Sequence, residues 1–257
     1  MDQQNTKDYY HLTHLSIEGR VLNTFGAETI NYLREKNRNG NVLDIDSSTG
    51  VTTKEMARIF PDSHVVGIEV DPKMFGEEGK MWRETYARRY LTKESPPQQN
   101  QPDFAVADGY NLPFASNSFE TVFANNNLWH VVEDDKMTPE RAKEIFRDII
   151  RTIEPGGHLC ISGNSIKTVS PYIIFEVDEQ KNVKIVKKIA KIEESHNSYI
   201  GEKTIRTLNK IIALLPVTSD DTAIAEENNT PSNYLKRGEK VREILKKITL
   251  LLRTRKV

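Results

Sequence analysis

The first 160 residues alternate short apolar runs with longer amphipathic segments, a pattern typical of β-α-β units on a parallel sheet. Apolar runs rich in β-branched residues and bounded by turn residues predict the strands. Five strands are predicted in this part, at residues 41–45, 64–70, 104–107, 119–124 and 158–162. The order of strands and helices predicts an α/β fold with a doubly wound, mostly parallel sheet and a helical C-terminal extension.

Helices are predicted where apolar residues recur at three- and four-residue spacing. The clearest helix start is Thr138-Pro139-Glu140, because threonine caps a helix, proline fits the first turn and an acid stabilises the positive end. The predicted helices are residues 22–36, 51–60, part of 72–90, 138–153, 204–215 and 235–253. Residues 172–177 are predicted as a strand, and residues 183–194 fit either its hairpin partner or a helix.

The elements suggest three parts along the chain. Residues 1–165 form a ligand-binding α/β domain, residues 166–230 a strand and helix cap that completes it, and residues 231–257 a basic amphipathic helix. This last segment holds nine Lys and Arg against two Glu. Its apolar stripe is expected to pack on the protein itself. RNA or an anionic membrane is the alternative partner for its basic face.

Composition excludes several classes of protein. The 257 residues are 37% hydrophobic and 28% charged, which is typical of a chain that builds a core. The longest apolar stretch, residues 211–217, is too short to cross a bilayer. The polar N-terminus shows no secretory signal, and Cys160 is the single cysteine, so a cytoplasmic protein is expected. The net charge of −1 conceals a net −7 for residues 1–160 and +6 for 161–257.

Polar residues and turns follow the predicted strands of the α/β domain. In such sheets ligands bind at the carboxyl ends of the strands, where the strand order reverses. A turn of small residues, 44–50, leaves the first strand with free backbone N–H groups. Glu69 follows the second strand, Asp108-Gly109 the third and Asn125-Asn126-Asn127 the fourth. This lining suits a nucleoside-like ligand with an amino-acid tail.

These segments resemble the motifs of class I S-adenosylmethionine-dependent methyltransferases. The sequence VLDIDSSTG at 42–50 matches the family's first motif in frame, and VVGIEVDP at 65–72 is similar to the second. The further matching segments are ADGYNLPF at 107–114, residues 118–131 around the fourth strand, and residues 149–161 with EPGG. The matches are collinear and cover residues 20–163, which is about 55% of the chain.

The resemblance implies a Rossmann-like methyltransferase fold, S-adenosylmethionine as the cofactor, and methyl transfer to an unidentified acceptor, with a small molecule favoured. By the same resemblance Glu69 holds the ribose hydroxyls and Asp108 contacts the adenine amino group. The implied cofactor-binding residues are Asp44, Asp46, Ser48, Gly50, Glu69, Asp108, Gly109 and Asn125. No particular catalytic residue is predicted, because such transfers need little covalent help from the protein.

The first motif departs from the family at two positions. The family has glycine where this chain has Asp46 and Ser48. A carboxylate at position 46 repels the carboxylate of the cofactor by about 1–4 kcal/mol in wet surroundings, unless it turns toward the ammonium group. The alternative function is therefore a non-catalytic methyltransferase-fold binding protein that has lost the cofactor through Asp46 and Ser48.

Other candidate sites are weaker. Asp44-x-Asp46 and His11-x-x-His14 have spacings that metals use, but neither pair has a further ligand nearby, and no metal is predicted. His130 follows the fourth strand, where a general base would stand, although a structural role is favoured. Cys160 is expected to be an inert core residue.

Overall fold

A computed structural model of the chain describes the α/β body. The described residues are 20–37, 39–77, 79, 100–125, 128–134, 136–163, 172–189, 206–207 and 209–218. The predicted C-terminal helix, His11 and His14 lie outside them, as does most of the predicted 72–90 helix. The three-part domain division therefore stays a prediction.

The described elements run from two short helices to an antiparallel hairpin. The helices are α1 (Arg20–Phe25), α2 (Ala27–Lys36), α3 (Val51–Ile59), α4 (Leu128–Glu133) and α5 (Pro139–Thr152). The strands are β1 (Val42–Ile45), β2 (Val65–Glu69), β3 (Asp103–Val106), β4 (Phe119–Asn125), β5 (Ile153–Ser162), β6 (Tyr172–Val177) and β7 (Val183–Ile189). Pro72–Met74 forms a 3₁₀ turn, and residues 209–214 are helical.

The seven strands form one sheet in the order β3-β2-β1-β4-β5-β6-β7. The first five strands are parallel to their neighbours, and β6 and β7 join antiparallel. The predicted α/β class and mostly parallel sheet are confirmed. The chain moves outward from β1 to β3 and then returns to the other side of β1, so the strand order reverses between β1 and β4. This crevice is where such folds bind ligands.

Both faces of the sheet are covered, because its strands alternate their side chains between two cores. Leu43 and Ile45 of β1 face a core that includes the apolar side of α5, whereas Val42 faces the core formed with α1, α2 and α3. The predicted cap of α5 is confirmed, since the Thr138 hydroxyl accepts the N–H of Arg141 at 3.2 Å.

Two predicted elements differ in the structure, and one segment that the sequence left open is assigned. The single helix predicted at 22–36 is wrong: Gly26 has φ 78°, which takes the chain out of the helix and separates α1 from α2. The fifth strand begins at Ile153 instead of residue 158, and a register shift opposite Phe119 and Thr121 accommodates the extra residues. Residues 183–189 form a strand, because they pair antiparallel with β6.

Among the described residues, no helix is both long enough and apolar enough to cross a bilayer.

Glu55 of α3 ties the first helix to the body of the fold. Its side chain is buried, and its two carboxylate oxygens accept the N–H groups of Val21 at 3.0 Å and Leu22 at 3.2 Å. These N–H groups belong to the first turn of α1, which leaves them without partners inside the helix. The carboxylate therefore satisfies two donors at once and anchors α1 on α3.

Replacing Glu55 by alanine is expected to lower the free energy of unfolding by about 1–3 kcal/mol, because it leaves two N–H groups of α1 without their acceptor. Urea unfolding followed by circular dichroism measures the change. Glu35→Ala on α2 is the control, since Glu35 is exposed and its loss should change stability by less than about 0.5 kcal/mol. Equal effects of the two substitutions would contradict the anchoring role.

Candidate functional site

The candidate site lies at the carboxyl ends of β1, β2 and β3, and its centre is the turn between β1 and α3. Asp46, Ser48 and Gly50 have φ values of 54°, 50° and 78° in this turn. Glycine adopts such values most readily, and aspartate and asparagine tolerate them better than most residues. A side chain in this region costs up to about 1–2 kcal/mol. The chain therefore keeps the backbone of a glycine-rich turn at two positions where it carries side chains.

Gly50 is required by packing as well as by φ. A Cβ atom at this position would lie 2.5 Å from the ring of Phe104 on β3. The carbonyl of Gly50 accepts the N–H of Lys54 at 3.1 Å, which starts the hydrogen bonds of α3. The glycine thus lets the end of the turn approach β3. Its predicted role as a cofactor ligand is not tested by these contacts.

Asp44 connects the strand before the turn to the helix after it. Its side chain is buried, and Oδ2 accepts the hydroxyl protons of Thr52 at 2.9 Å and Thr53 at 2.7 Å. Both threonines lie in the first turn of α3, so the carboxylate joins the end of β1 to the start of the helix. This is a structural duty that the predicted cofactor-binding role of Asp44 did not anticipate.

Glu69 at the end of β2 binds the backbone of the turn. Its Oε2 accepts the N–H of Ser48 at 3.0 Å, and its Oε1 accepts the N–H of Asp71 at 3.2 Å. The Ser47 N–H also donates to the carbonyl of Ile68 at 2.8 Å. A carboxylate offers about four lone-pair positions, so each oxygen of Glu69 retains acceptor capacity for a ligand hydroxyl.

Asp46 is the electrostatic centre of the site. Burial raises the pKa of its carboxyl group to about 7, and the charges of Glu69, Asp44 and Asp108 add to the shift in that order. Within the described part of the chain its side chain makes no hydrogen bond or ion pair. The structure therefore brings four of the predicted site residues into electrostatic range, with one acid among them unpaired.

Asp108 and Gly109 follow β3 in a short turn. The exposed Asp108 accepts the N–H of Tyr110 on Oδ1 at 2.8 Å, and its carbonyl accepts the N–H of Asn111 at 3.1 Å. Gly109 is buried. The carboxylate of Asp108 is thus oriented by its own turn through Oδ1.

Tyr110 is a site residue that sequence reasoning missed. Burial raises the pKa of its half-buried phenol, and the charges of Asp46, Asp108 and Asp134 raise it further. The phenol therefore stays neutral and lies within range of the turn carboxylate. Its position inside the 107–114 motif was the available signal, but the motif by itself does not say which way the ring points.

Asn125 ends β4 on the other side of β1. Its Oδ1 accepts the hydroxyl proton of Ser162 at 3.0 Å, which joins the ends of β4 and β5. Asn126 and Asn127 lie outside the described residues. The backbone of His130 lies in α4, the helix that follows β4. Cys160 is buried in β5, where burial raises the pKa of its thiol well above the ordinary value.

Two other features are separate from the site. A cavity of about 310 Å³ opens at the amino ends of β1 and β2, and it is lined by α2 residues such as Arg34 and by Phe60 and Ser63 after α3. Among the described residues no group of three His, Cys, Asp or Glu side chains is arranged to hold a metal. In the Asp44-x-Asp46 pair, the Asp44 carboxylate accepts hydrogen bonds from the hydroxyls of Thr52 and Thr53, whereas the Asp46 carboxylate does not share these partners.

Replacing Asp46 by asparagine is expected to raise the free energy of unfolding more at pH 8 than at pH 5. The folded protein keeps this carboxyl protonated up to about pH 7, whereas the unfolded chain ionises it near pH ~3.9. The wild-type chain therefore loses stability as pH rises between these values, by at most on the order of 4 kcal/mol. Asparagine accepts a positive φ and carries no charge. Chemical unfolding at both pH values measures the difference.

Ser48→Gly is the matched control for this prediction. It changes the other side chain held at positive φ in the same turn and removes no charge, so its effect on stability should be the same at pH 5 and pH 8. A stability gain of Asp46→Asn that is equal at the two pH values would contradict the assigned electrostatic cost.

The sequence of the site region matches a known family. Residues 43–161 match the family model described as "Methyltransferase domain". An O-methyltransferase of Penicillium expansum is 28% identical over 121 residues, which are 47% of this chain and 37% of that protein. An uncharacterized methyltransferase of Schizosaccharomyces pombe is 24% identical over 143 residues, 55% of this chain and 45% of that protein. The matches thus span less than half the length of these curated relatives.

Solved structures also resemble the chain. The protein PH0226 of Pyrococcus horikoshii is 18% identical with a TM-score of 0.41, and the match covers 61% of this chain and 65% of that one. A SAM-dependent methyltransferase of Methanosarcina mazei is 24% identical with a TM-score of 0.37, covering 51% of this chain and 54% of that one.

Proposed function

We propose that the chain is an S-adenosylmethionine-dependent methyltransferase, because residues 43–161 match the methyltransferase domain model. The bound cofactor supplies a methyl group already activated on a sulfonium. The protein then contributes position, orientation and exclusion of water. The observation that carries the proposal is the hydrogen bond from the Ser48 N–H to Glu69, which fixes an acid beside the turn at the reversal of strand order.

The residues of the site fit the parts of this cofactor. Glu69 has an acceptor position left on each oxygen for the two ribose hydroxyls. Asp108 keeps one carboxylate oxygen for an amino group on the base. Val70 and Val106 are 60% and 58% exposed at the ends of β2 and β3, and they offer apolar surface to a flat base at the same edge. The turn 46–50 adjoins Glu69 and is assigned to the methionine part.

The acceptor is proposed to be a small molecule with an oxygen nucleophile. Two curated relatives, from Penicillium expansum and Aspergillus nomiae, are named O-methyltransferases. No catalytic base is assigned to this transfer. Assays with methyl-labelled cofactor against hydroxylated small molecules, with RNA as the comparison class, test this choice.

Glu69→Ala is expected to weaken binding of S-adenosylhomocysteine by at least about tenfold, because a hydrogen bond to a charged acceptor contributes about 1.5–3 kcal/mol. The substitution also removes the acceptor for the Ser48 N–H, so some stability should be lost with it. Isothermal titration calorimetry measures the affinity, and Glu69→Gln, which keeps the side-chain length, should show a smaller loss.

Glu120→Ala is the control for Glu69→Ala. Glu120 accepts the N–H of Gly40 at 3.0 Å at the opposite edge of the sheet. Glu120→Ala therefore removes a comparable hydrogen bond between a carboxylate and the backbone, and this variant should bind S-adenosylhomocysteine with the affinity of the wild type. Equal affinity of Glu69→Ala and wild type would remove Glu69 from the site. Wild-type protein that binds neither S-adenosylmethionine nor S-adenosylhomocysteine would favour the alternative of a non-catalytic binding protein.

A further inference from the structure

Asp46 differs from the acids around it in having no partner. Asp44 accepts two threonine hydroxyls, Glu69 accepts two backbone N–H groups and Asp108 accepts the N–H of Tyr110. Each of these bonds offsets part of a negative charge. Within the described part of the chain, the Asp46 side chain has no such bond. Asp46 is therefore the acid of this cluster whose charge no hydrogen bond of the protein offsets, and a cationic ligand would interact with it most favourably.

The substrate and product forms of the proposed cofactor differ mainly in charge. S-adenosylmethionine carries a sulfonium that its demethylated product, the thioether S-adenosylhomocysteine, lacks. Their ammonium, carboxylate, ribose and adenine groups are the same. An ionised carboxylate in a partly buried site attracts the cation without a matching gain for the neutral thioether.

Resting on the proposed function, we propose that Asp46 is a specificity-determining residue that makes the site prefer the sulfonium form of the cofactor over its thioether product. At position 46 the related family has glycine, whereas this chain carries a carboxylate on the turn next to Glu69. Whatever this carboxylate does to the methionine ammonium or carboxylate is common to both ligands and cancels in the ratio of their affinities. The ratio therefore isolates the interaction with the sulfonium charge.

The protonation of Asp46 controls the size of this preference. The charged and titratable groups that act on it are Asp44 of β1, Glu69 of β2, and Asp108 and Tyr110 after β3. The three acids favour the protonated form of Asp46, and the phenol stays neutral. Since the pKa of Asp46 is raised to about 7, the preference should be present at pH 8 and reduced at pH 5.5.

Calorimetry with purified full-length protein tests the proposal, using S-adenosylmethionine and S-adenosylhomocysteine as ligands at pH 8 and pH 5.5. At pH 8, Asp46→Asn and Asp46→Gly should each shift the affinity ratio toward the thioether by about three- to tenfold. Ser48→Gly, in the same turn and at the same positive φ, should leave the ratio at the wild-type value. Wild type at pH 5.5 should approach the ratio of Asp46→Asn.

The outcomes separate this inference from the proposed function. Binding of both ligands with a ratio that Asp46→Asn does not change at pH 8 overturns the role of Asp46 and leaves the methyltransferase proposal standing. A shift of equal size in Ser48→Gly also overturns it, because the cause would then be the backbone of the turn. Failure of wild type to bind either ligand overturns both proposals.

Discussion

The site depends on the sharp reversal of the chain at the end of β1. The backbone must pass from a buried strand to the start of α3 within five residues, and it does so through three positive φ values at Asp46, Ser48 and Gly50. Two of these positions carry side chains and store on the order of 1–2 kcal/mol each. The hydrogen bonds of Asp44 and Glu69, both to charged acceptors, contribute about 1.5–3 kcal/mol apiece and offset this strain.

The same bonds explain why an acid is tolerated in the turn. Because Glu69 holds the Ser48 N–H and Asp44 holds two threonines, the turn keeps its shape without help from residue 46. Asp46 then bears the cost of four carboxylates at one edge of a sheet, and it relieves that cost by binding a proton up to about pH 7. Asp46 lowers the free energy of unfolding mainly when its carboxyl group is ionised, so the stability of the fold depends on pH.

The strand pattern, the sheet class and the cap at Thr138 were predictable because each rests on local chemistry: β-branched runs, alternation and a proline at a helix start. The break at Gly26 was not, since a glycine within an apolar period is tolerated in helices and the local sequence does not say that it takes a positive φ. Residues 183–189 were equally ambiguous, because their assignment depends on pairing with β6. At the candidate site, the order of acids along the sequence predicts that they lie together at the carboxyl ends of the strands, as the structure has them. The distant partners of Asp44 and the direction of the Tyr110 ring are set by tertiary contacts.

A turn held by its own protein groups is prepared for a ligand before the ligand arrives. In the β1 to α3 connection the N–H groups of Ser47, Ser48 and Gly50 donate to acceptors of the protein itself. Association would therefore have less of the turn to order, and less of the interaction energy would go into loop ordering. The hydrogen bonds that hold the turn are therefore made by the protein itself. The family match over residues 43–161 therefore reflects the sequence that builds the fold. Which ligand binds depends on side chains that the fold does not need for its own hydrogen bonds. Asp46 is such a group: its carboxylate makes no hydrogen bond that the turn needs, and the inferred preference for a sulfonium rests on this carboxylate.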